Sequence, residues 1–147
     1  MTTILQISDT HIAAEGALVS GRLDTGVSLR ALVRRVDEMR ALIGPIDGLL
    51  VSGDLSEDGS TASYQHFKEV LAPLDLPLFV IPGNHDAREP LRGALTNSEN
   101  MPAEGRVNWT AHVGDLCLIG LDTLVEGSGG GVLNEATLAF LADALHR

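Results

Sequence analysis

Three short polar clusters contain the residues whose types and spacing could do chemistry. They are Asp9-Thr10-His11, Gly53-Asp54 and Gly83-Asn84-His85-Asp86. Together they offer carboxylate, imidazole and amide oxygen groups, a ligand mixture that suits a pair of divalent metal ions. The clusters therefore predict a metal site, provided that the fold brings them together.

Each cluster directly follows a short apolar run that is typical of a buried strand. The runs are Ile4–Ile7, Leu49–Val51 and Leu78–Ile81, and turn residues bound each of them. In parallel α/β sheets, ligands gather at the carboxyl ends of the strands. We therefore expect the three clusters to face one crevice.

The elements around these runs alternate between strand and helix. Apolar positions spaced by three and four residues predict the helices, with Ser28 as a plausible cap of the first and with Leu32, Met39 and Ile43 on its inward face. The β-α-β-α-β order predicts parallel strands with right-handed crossovers. Gly114-Asp115 between two apolar runs predicts a hairpin. The predicted elements are strands 3–8, 48–52 and 78–81, helices 28–43, 60–71 and 89–95, hairpin strands 106–113 and 116–121, and a last helix 134–145.

Composition limits the classes of partner. The chain has 147 residues, 44% of them hydrophobic, which is one domain's worth of core-forming material. A net charge of −10 argues against nucleic acid and against anionic membranes as partners. No apolar run is long enough to span a bilayer, and the start of the chain does not resemble a signal peptide. The single cysteine, Cys117, is expected to be a buried, inert thiol, and the predicted location is the cytoplasm.

The chemistry of the clusters can be read residue by residue. Asp9 and His11 are two positions apart, so an extended backbone would place both on one face. The two oxygens of Asp54 could bridge two ions, and Asn84 could give an amide oxygen to the second. His85 would then face the substrate as a general acid or charge stabiliser. Two such ions, about 3.5–4 Å apart, would activate a bridging water as the hydroxide that attacks phosphorus.

These residues resemble a known family. Ser8-Asp9-Thr10-His11, Gly53-Asp54 and Gly83-Asn84-His85-Asp86 are similar to the first three signature motifs of calcineurin-like metallophosphoesterases. The segments 21–25, 52–59, 71–74 and 121–123 resemble the bacterial branch, which contains cyclic-nucleotide phosphodiesterases and glycerophosphodiesterases.

The resemblance implies a fold, a set of cofactors and a role for each residue. The fold would be an αββα sandwich, and the substrate a small phosphodiester. The cofactors would be two divalent or transition metal ions, drawn from Fe, Mn, Zn or Co. By the same resemblance, Asp9 and His11 hold the first ion, Asp54 bridges, Asn84 holds the second, and His85 works on the substrate.

The sequence also departs from the family pattern. Family members continue with a His-containing motif and a Gly-His-x-His motif, whereas this sequence stops at Arg147. We therefore expect a single domain, residues 1–147, that corresponds to the N-terminal half of the sandwich. The second ion would have only Asp54 and Asn84 from this sequence. The spare histidines are His66, His112 and His146. Of these, His66 on the second predicted helix and His112 in the predicted hairpin are expected to lie away from the site.

Two functional hypotheses follow from these observations. The first is a dinuclear-metal phosphodiesterase that acts on cyclic nucleotides or glycerophosphodiesters. The second is a catalytically incomplete homologue that folds and forms homo-oligomers through bared apolar surface, without turnover. A weaker third possibility is that a second chain supplies the missing ligands.

Several other polar residues have competing interpretations. Asp86 is either a partner that orients His85 or a turn and capping residue. Asp122 is interpreted as structural support. The arginines Arg22, Arg88 and Arg92 are more commonly surface residues than phosphate ligands. The segment 127–131 lacks the Lys-Ser/Thr of a phosphate-binding loop, and we interpret it as a flexible loop.

Overall fold

The three predicted strands form one parallel sheet in the computed structural model, which describes residues 1–96 and 98–146. They are β1 (Ile4–Ile7), β2 (Gly48–Ser52) and β3 (Leu78–Ile81), in the order β1-β2-β3. Gln6 pairs with Leu50, and Leu50 pairs with Phe79, so the three strands run in step. Their carboxyl ends therefore lie along one edge of the sheet, as the sequence predicted.

Four α-helices accompany the sheet within the part of the chain that the structure describes. They are α1 (Thr25–Ile43), α2 (Thr61–Leu71), α3 (Arg88–Ala94) and α4 (Glu135–Leu145), and a short 3₁₀ turn (Ala72–Leu74) follows α2. Helix α2 packs against both α1 and α3. The expected mixed α/β class, with a mainly parallel sheet flanked by helices, is confirmed.

The predicted hairpin forms a separate two-stranded antiparallel sheet. Its strands are β4 (Trp109–Val113) and β5 (Leu116–Gly120), joined at Gly114-Asp115. The indole N–H of Trp109 donates to the carbonyl of Val80 at 2.7 Å, and the Trp109 ring packs against Phe79. The hairpin thereby joins the same hydrophobic core as the parallel sheet.

The beginning of α1 differs from the expected one. Asp24, not Ser28, caps the helix, because its carboxylate accepts the N–H of Val27 at 2.8 Å. The inward face is also narrower than expected. Leu29, Val33 and Val36 are buried, whereas the three residues also assigned to that face, Leu32, Met39 and Ile43, are exposed. A stripe spaced by four and three residues is enough to contact the neighbouring helix.

The environment of Cys117 contradicts the expectation of a buried thiol. The side chain lies exposed on β5, next to the exposed Leu116. The apolar run suggested burial on both faces, but Leu116 and Cys117, which face opposite sides of the sheet, are both exposed, and burial along β5 is reached only at Gly120. Within the described residues, no helix combines the length and the apolar character needed to cross a membrane.

Candidate metal centre

The loop after β1 runs alongside the loop after β2. The backbone N–H groups of Asp9, His11 and Ile12 donate to the carbonyls of Gly53, Asp54 and Leu55, at 3.1, 2.9 and 3.0 Å. These bonds continue the pairing of β1 and β2 beyond the ends of both strands. The side chains of Asp9 and His11 are thereby brought to Asp54.

The backbone at these three residues is not extended, so the geometric premise for Asp9 and His11 was wrong. Their φ angles are 55° and 43°, and Asp54 has a φ of 49°. Left-handed backbone is uncommon for residues other than glycine and costs about 1–2 kcal/mol per residue. Such conformations cluster at functional sites, where neighbouring contacts enforce them. The three residues still meet, but by loop pairing rather than by strand alternation.

A close backbone approach brings the third cluster to the same place. A Cβ on Gly83 would lie 2.2 Å from Asp54 Oδ1 and 2.4 Å from the Asp54 nitrogen, so only glycine fits there. The backbone N–H of His85 then donates to Asp54 Oδ1 at 3.0 Å. Asn84, between these two residues, is therefore held beside Asp54, with an exposed side chain.

Asp86 is the buried residue that fixes the loops after β2 and β3 to each other. Its carboxylate is 4% exposed and accepts the N–H groups of Leu55, Ser56 and Gly83 at 3.1, 3.0 and 2.8 Å. The Tyr64 hydroxyl also donates to it at 3.0 Å. Burial and the nearby Asp86 charge raise the pKa of Tyr64, which keeps this donor protonated. Of the two interpretations of Asp86, these contacts match the turn and capping role.

The donor set at the sheet edge fits a divalent metal ion. One donor atom from each of Asp9, His11 and Asp54 lies within 4.8 Å of the other two. Asp54 and His11 are only partly exposed, with 13% and 27% of their side chains accessible, and His11 Nε2 lies 3.8 Å from Asp54 Oδ2. Two carboxylates and one imidazole are suitable ligands for Zn, Fe or Mn. Asn84, which lies beside Asp54, could offer its amide oxygen to a second ion.

Glu57 is a candidate functional residue that sequence reasoning missed. Its carboxylate lies 2.9 Å from His11 Nδ1, and its backbone carbonyl accepts from His85 Nδ1 at 3.0 Å. The two histidine rings meet edge to face, with their centroids 4.8 Å apart. The hydrogen bond to the Glu57 carbonyl, helped by nearby carboxylates, raises the pKa of His85. The only signal in the sequence was the position of Glu57 in the segment 52–59, which carried the family resemblance.

Two of the three arginines are committed to internal contacts. The Arg88 guanidinium donates to both oxygens of Asp122, at 2.7 and 2.8 Å. Arg92 is buried and donates to the carbonyls of Pro102 and Gly105. Arg22 is exposed, in the loop before α1. Arg88 and Arg92 therefore serve the fold, and the expectation that they are surface arginines was wrong, because buried carbonyl and carboxylate acceptors satisfy their guanidinium groups.

Asp122 has the structural role expected of it. The residue is fully buried and, besides Arg88, accepts the N–H groups of Val107 and Leu124 at 2.8 and 2.9 Å. Burial alone would raise its pKa, but the Arg88 hydrogen bonds and these N–H donors outweigh burial, so the pKa of Asp122 is lowered. The residue thus ties α3 to the end of the hairpin.

The remaining histidines lie away from the candidate site. His66 is buried on α2, where its ring contacts the Ala13 carbonyl and Arg30. His112 is exposed on β4, and His146 follows α4, where its ring contacts the Ala142 carbonyl. Among the described residues, the clusters able to hold a metal contain only His11 and His85 of the histidines.

Two clefts frame the candidate site. One of ≈ 240 Å³ lies on the Asn84 side, between Gly83 and Gly129–Gly131, and one of ≈ 250 Å³ lies on the Asp9 side, beside Thr25. A larger apolar cleft of ≈ 330 Å³ lies at the opposite ends of the strands, near Leu49 and Leu78, and its lining does not include the candidate site residues. The clefts that border the candidate ligands are thus the two at the carboxyl ends of the strands.

The parallel sheet, with carboxylate and imidazole donors at its strand ends, defines the class as an α/β protein with a candidate metal centre. Residues 2–143 match the family model of calcineurin-like phosphoesterases, and the chain belongs to that family. The family resemblance seen in the motifs is therefore confirmed.

Relatives with described activities are similar along nearly the whole chain. A probable glycerophosphodiester phosphodiesterase of Arcobacter nitrofigilis is 28% identical, over 98% of this chain and 52% of the relative. The 3',5'-cyclic adenosine monophosphate phosphodiesterase of Pseudomonas aeruginosa is 36% identical, over 97% and 49%. That of Escherichia coli K12 is 33% identical, over 98% and 51%. The chain spans about half the length of these curated relatives.

Proposed function

We propose that the chain carries the metal-binding part of a hydrolase that cleaves small phosphodiesters, either cyclic nucleotides or glycerophosphodiesters. The observation that carries the proposal is the convergence of Asp9, His11 and Asp54, whose donor atoms lie within 4.8 Å of one another. Family membership supports the reaction class, and the activities of the relatives support the diester class.

The chain's own residues divide the work at the site. Asp9 and His11 would hold the first ion, Asp54 would contact both ions, and Asn84 would hold the second. When bound, divalent ions such as Fe, Mn, Zn or Co supply positive charge to the phosphoryl oxygens and lower the pKa of water. The left-handed backbone at Asp9, His11 and Asp54 supports this assignment, because such conformations cluster at functional sites.

His85 is the proposed general acid. Its Nδ1–H donates to the Glu57 carbonyl, so Nε2 is the ring atom left to reach the substrate. In the metal-free chain, the hydrogen bond to the Glu57 carbonyl raises the pKa of His85, which favours the imidazolium form. That imidazolium can donate the Nε2 proton to the leaving oxygen of the diester. The proposed chemistry requires no Ser or Cys nucleophile.

The charge pattern favours a small substrate. Two arginines that could have bound a long polyanion, Arg88 and Arg92, are occupied within the fold. The net charge of −10 also opposes duplex nucleic acid and anionic membranes as partners. The cytoplasmic location, proposed from the sequence, stays a prediction.

The direct test is turnover of bis(p-nitrophenyl) phosphate by the purified chain with added Mn, Co or Zn. We expect metal-dependent turnover in the wild type and its loss in Asp54→Ala, because Asp54 is the proposed contact to both ions. Asp37→Ala is a matched control, since Asp37 lies exposed on α1. Equal rates in wild type and Asp54→Ala, or no turnover with any of the metals, would contradict the proposal.

A second candidate function is self-association without turnover. The favouring observation is the exposed apolar surface around α4, where Leu138 and Leu145 are 49% and 69% exposed and Val132 and Leu133 are close in sequence. Apolar patches of this kind mark interfaces. Sedimentation over a wide concentration range would show a dimer or larger species, whereas a monomer throughout would contradict this candidate.

A further inference from the structure

Glu57 contacts both histidines of the site through different groups. Its carboxylate Oε2 lies 2.9 Å from His11 Nδ1 and 3.8 Å from His85 Nδ1. Its backbone carbonyl accepts from His85 Nδ1 at 3.0 Å, and its backbone N–H donates to the Ile12 carbonyl at 3.0 Å. A single residue of the loop after β2 is therefore bonded to the loops after β1 and β3.

The two nitrogens of His11 face different groups. Nδ1 faces the Glu57 carboxylate, whereas Nε2 faces Asp54, at 3.8 Å from Oδ2. A neutral imidazole carries one N–H, and an ionised carboxylate only accepts hydrogen bonds. The Glu57 contact therefore favours the tautomer with hydrogen on Nδ1. That tautomer leaves the Nε2 lone pair on the side of the Asp54 carboxylate.

We infer that Glu57 is a positioning residue, which selects the Nδ1–H tautomer of His11 and so prepares Nε2 to bind a metal ion. The inference rests on the proposed function, since it takes His11 as a metal ligand. Carboxylates that accept the second N–H of a ligating histidine typically contribute about 10–100-fold in metal affinity.

The competing interpretation makes Glu57 itself a ligand. Donor atoms of His11, Glu57 and His85 also lie within 4.8 Å of one another, which would allow a separate three-ligand site. His11 Nδ1 and His85 Nδ1 are, however, already hydrogen-bonded to Glu57. Binding an ion there would break both bonds, whereas binding at Nε2 of His11 would keep them.

The test compares three substitutions at one position in the full chain. Glu57→Ala removes the acceptor, and Glu57→Asp shortens it by one methylene while keeping the charge and the backbone bonds. Glu57→Gln keeps an oxygen that can accept from Nδ1–H and serves as the rescue variant. Glu69→Gln on the exposed side of α2 is the matched control. Metal-free thermal unfolding of each variant verifies that it folds.

The first readout is the His11 tautomer, from ring ¹⁵N chemical shifts of the metal-free chain. The spectra are recorded at about pH 8.5, roughly two units above the ordinary pKa of a free histidine side chain. We expect Nδ1–H in the wild type, in Glu57→Gln and in the control. The population of Nε2–H should rise in Glu57→Ala and in Glu57→Asp.

The second readout is Mn²⁺ affinity by calorimetric titration. We expect a loss of about 10–100-fold in Glu57→Ala and Glu57→Asp, and near wild-type affinity in Glu57→Gln. Unchanged tautomer and affinity in Glu57→Ala would overturn the inference. A loss of Mn²⁺ affinity in Glu57→Gln as large as that in Asp9→Ala, together with a changed Co²⁺ absorption spectrum, would also overturn it. Both results would indicate that Glu57 binds the metal ion directly. Neither readout requires turnover, so failure of the proposed hydrolase activity is distinguishable from failure of this inference.

Discussion

The two sides of the candidate site differ in how firmly hydrogen bonds and burial hold their residues. The His11 side, residues 8–12, is held by four backbone hydrogen bonds to the loop after β2 and by the Glu57 carboxylate. The Asn84 side consists of residues 82–85 and the facing wall 129–131. There Asn84 is exposed and borders an open cleft of ≈ 240 Å³. Of the proposed ligands of the first ion, His11 and Asp54 are thus held by the fold and Asp9 is exposed, whereas the proposed second position is open on one side.

This difference implies unequal metal affinities. Donors that the fold already holds in place lose little conformational entropy when an ion binds. An exposed amide side chain loses more, and this entropy loss lowers the affinity. We therefore expect one tight and one weak equivalent of metal in this chain.

The largest expected effect comes from removing one ligand on each side. Asp9→Ala should weaken the tight equivalent by more than about 100-fold, beyond the contribution of an outer partner. Asn84→Ala should abolish the weak equivalent and leave the tight one within about threefold of the wild type, because Asn84 is not among the first ion's proposed ligands. Calorimetric titration with Mn²⁺ measures both. If Asn84→Ala weakens the tight equivalent as strongly as Asp9→Ala does, the two sides are not independent.

The next largest effect is expected at Asp122, behind the Asn84 side, because its carboxylate accepts hydrogen bonds from Arg88 and from the Leu124 N–H. Asp122→Asn should lower the free energy of unfolding by about 3 kcal/mol, because it leaves Arg88 without its buried partner. The folded-state pKa of Asp122 is lowered. Its stabilisation is therefore complete above the ordinary aspartate pKa of about 3.9 and is lost as pH falls through the lower folded value.

Urea unfolding between about pH 6 and about pH 2.5 measures this dependence. The stability gap between wild type and Asp122→Asn should narrow at the acid end. Asp75→Asn is the control, because Asp75 lies exposed on the loop before β3. A gap of constant size would show that the charge of Asp122 does not stabilise the fold.

The smallest effect concerns the His11 side. The Thr25 hydroxyl donates to the His11 carbonyl at 2.8 Å. Thr25→Val keeps the side-chain shape and should cost about 1 kcal/mol of unfolding free energy, the usual net value of one hydrogen bond. Thr61→Val, at the exposed start of α2, is the control, and urea unfolding is the measurement. No difference between the two variants would mean that this bond does not help to hold the His11 loop.

Most of the fold was predictable from local pattern. The bounds of β2 and β3 match the expected ones, because each is a short apolar run between turn residues. The presence of the hairpin and the place of its turn followed from Gly114-Asp115. The face of α1 and the exposure of Cys117 were not predictable, because they depend on which surfaces of the helix and of β5 find a neighbour.

The candidate site was predictable in its residue types but not in its construction. Motif order and strand ends pointed to Asp9, His11 and Asp54, which the structure brings together. Their left-handed backbone and the contact of Glu57 arise where one loop lies against another. Contacts between residues 46 positions apart leave no periodic signal in the sequence.

Asp86 determines the shape of the candidate site without belonging to its donor set. Its carboxylate joins the loops that carry Asp54 and Asn84, yet it lies buried behind them. During evolution, a descendant of this chain could exchange its proposed metal ligands one by one while Asp86 preserved the arrangement of the loops that carry them. The same frame could later accept other donors at those positions, so the scaffold can outlast any single activity and serve as the starting point for a new one.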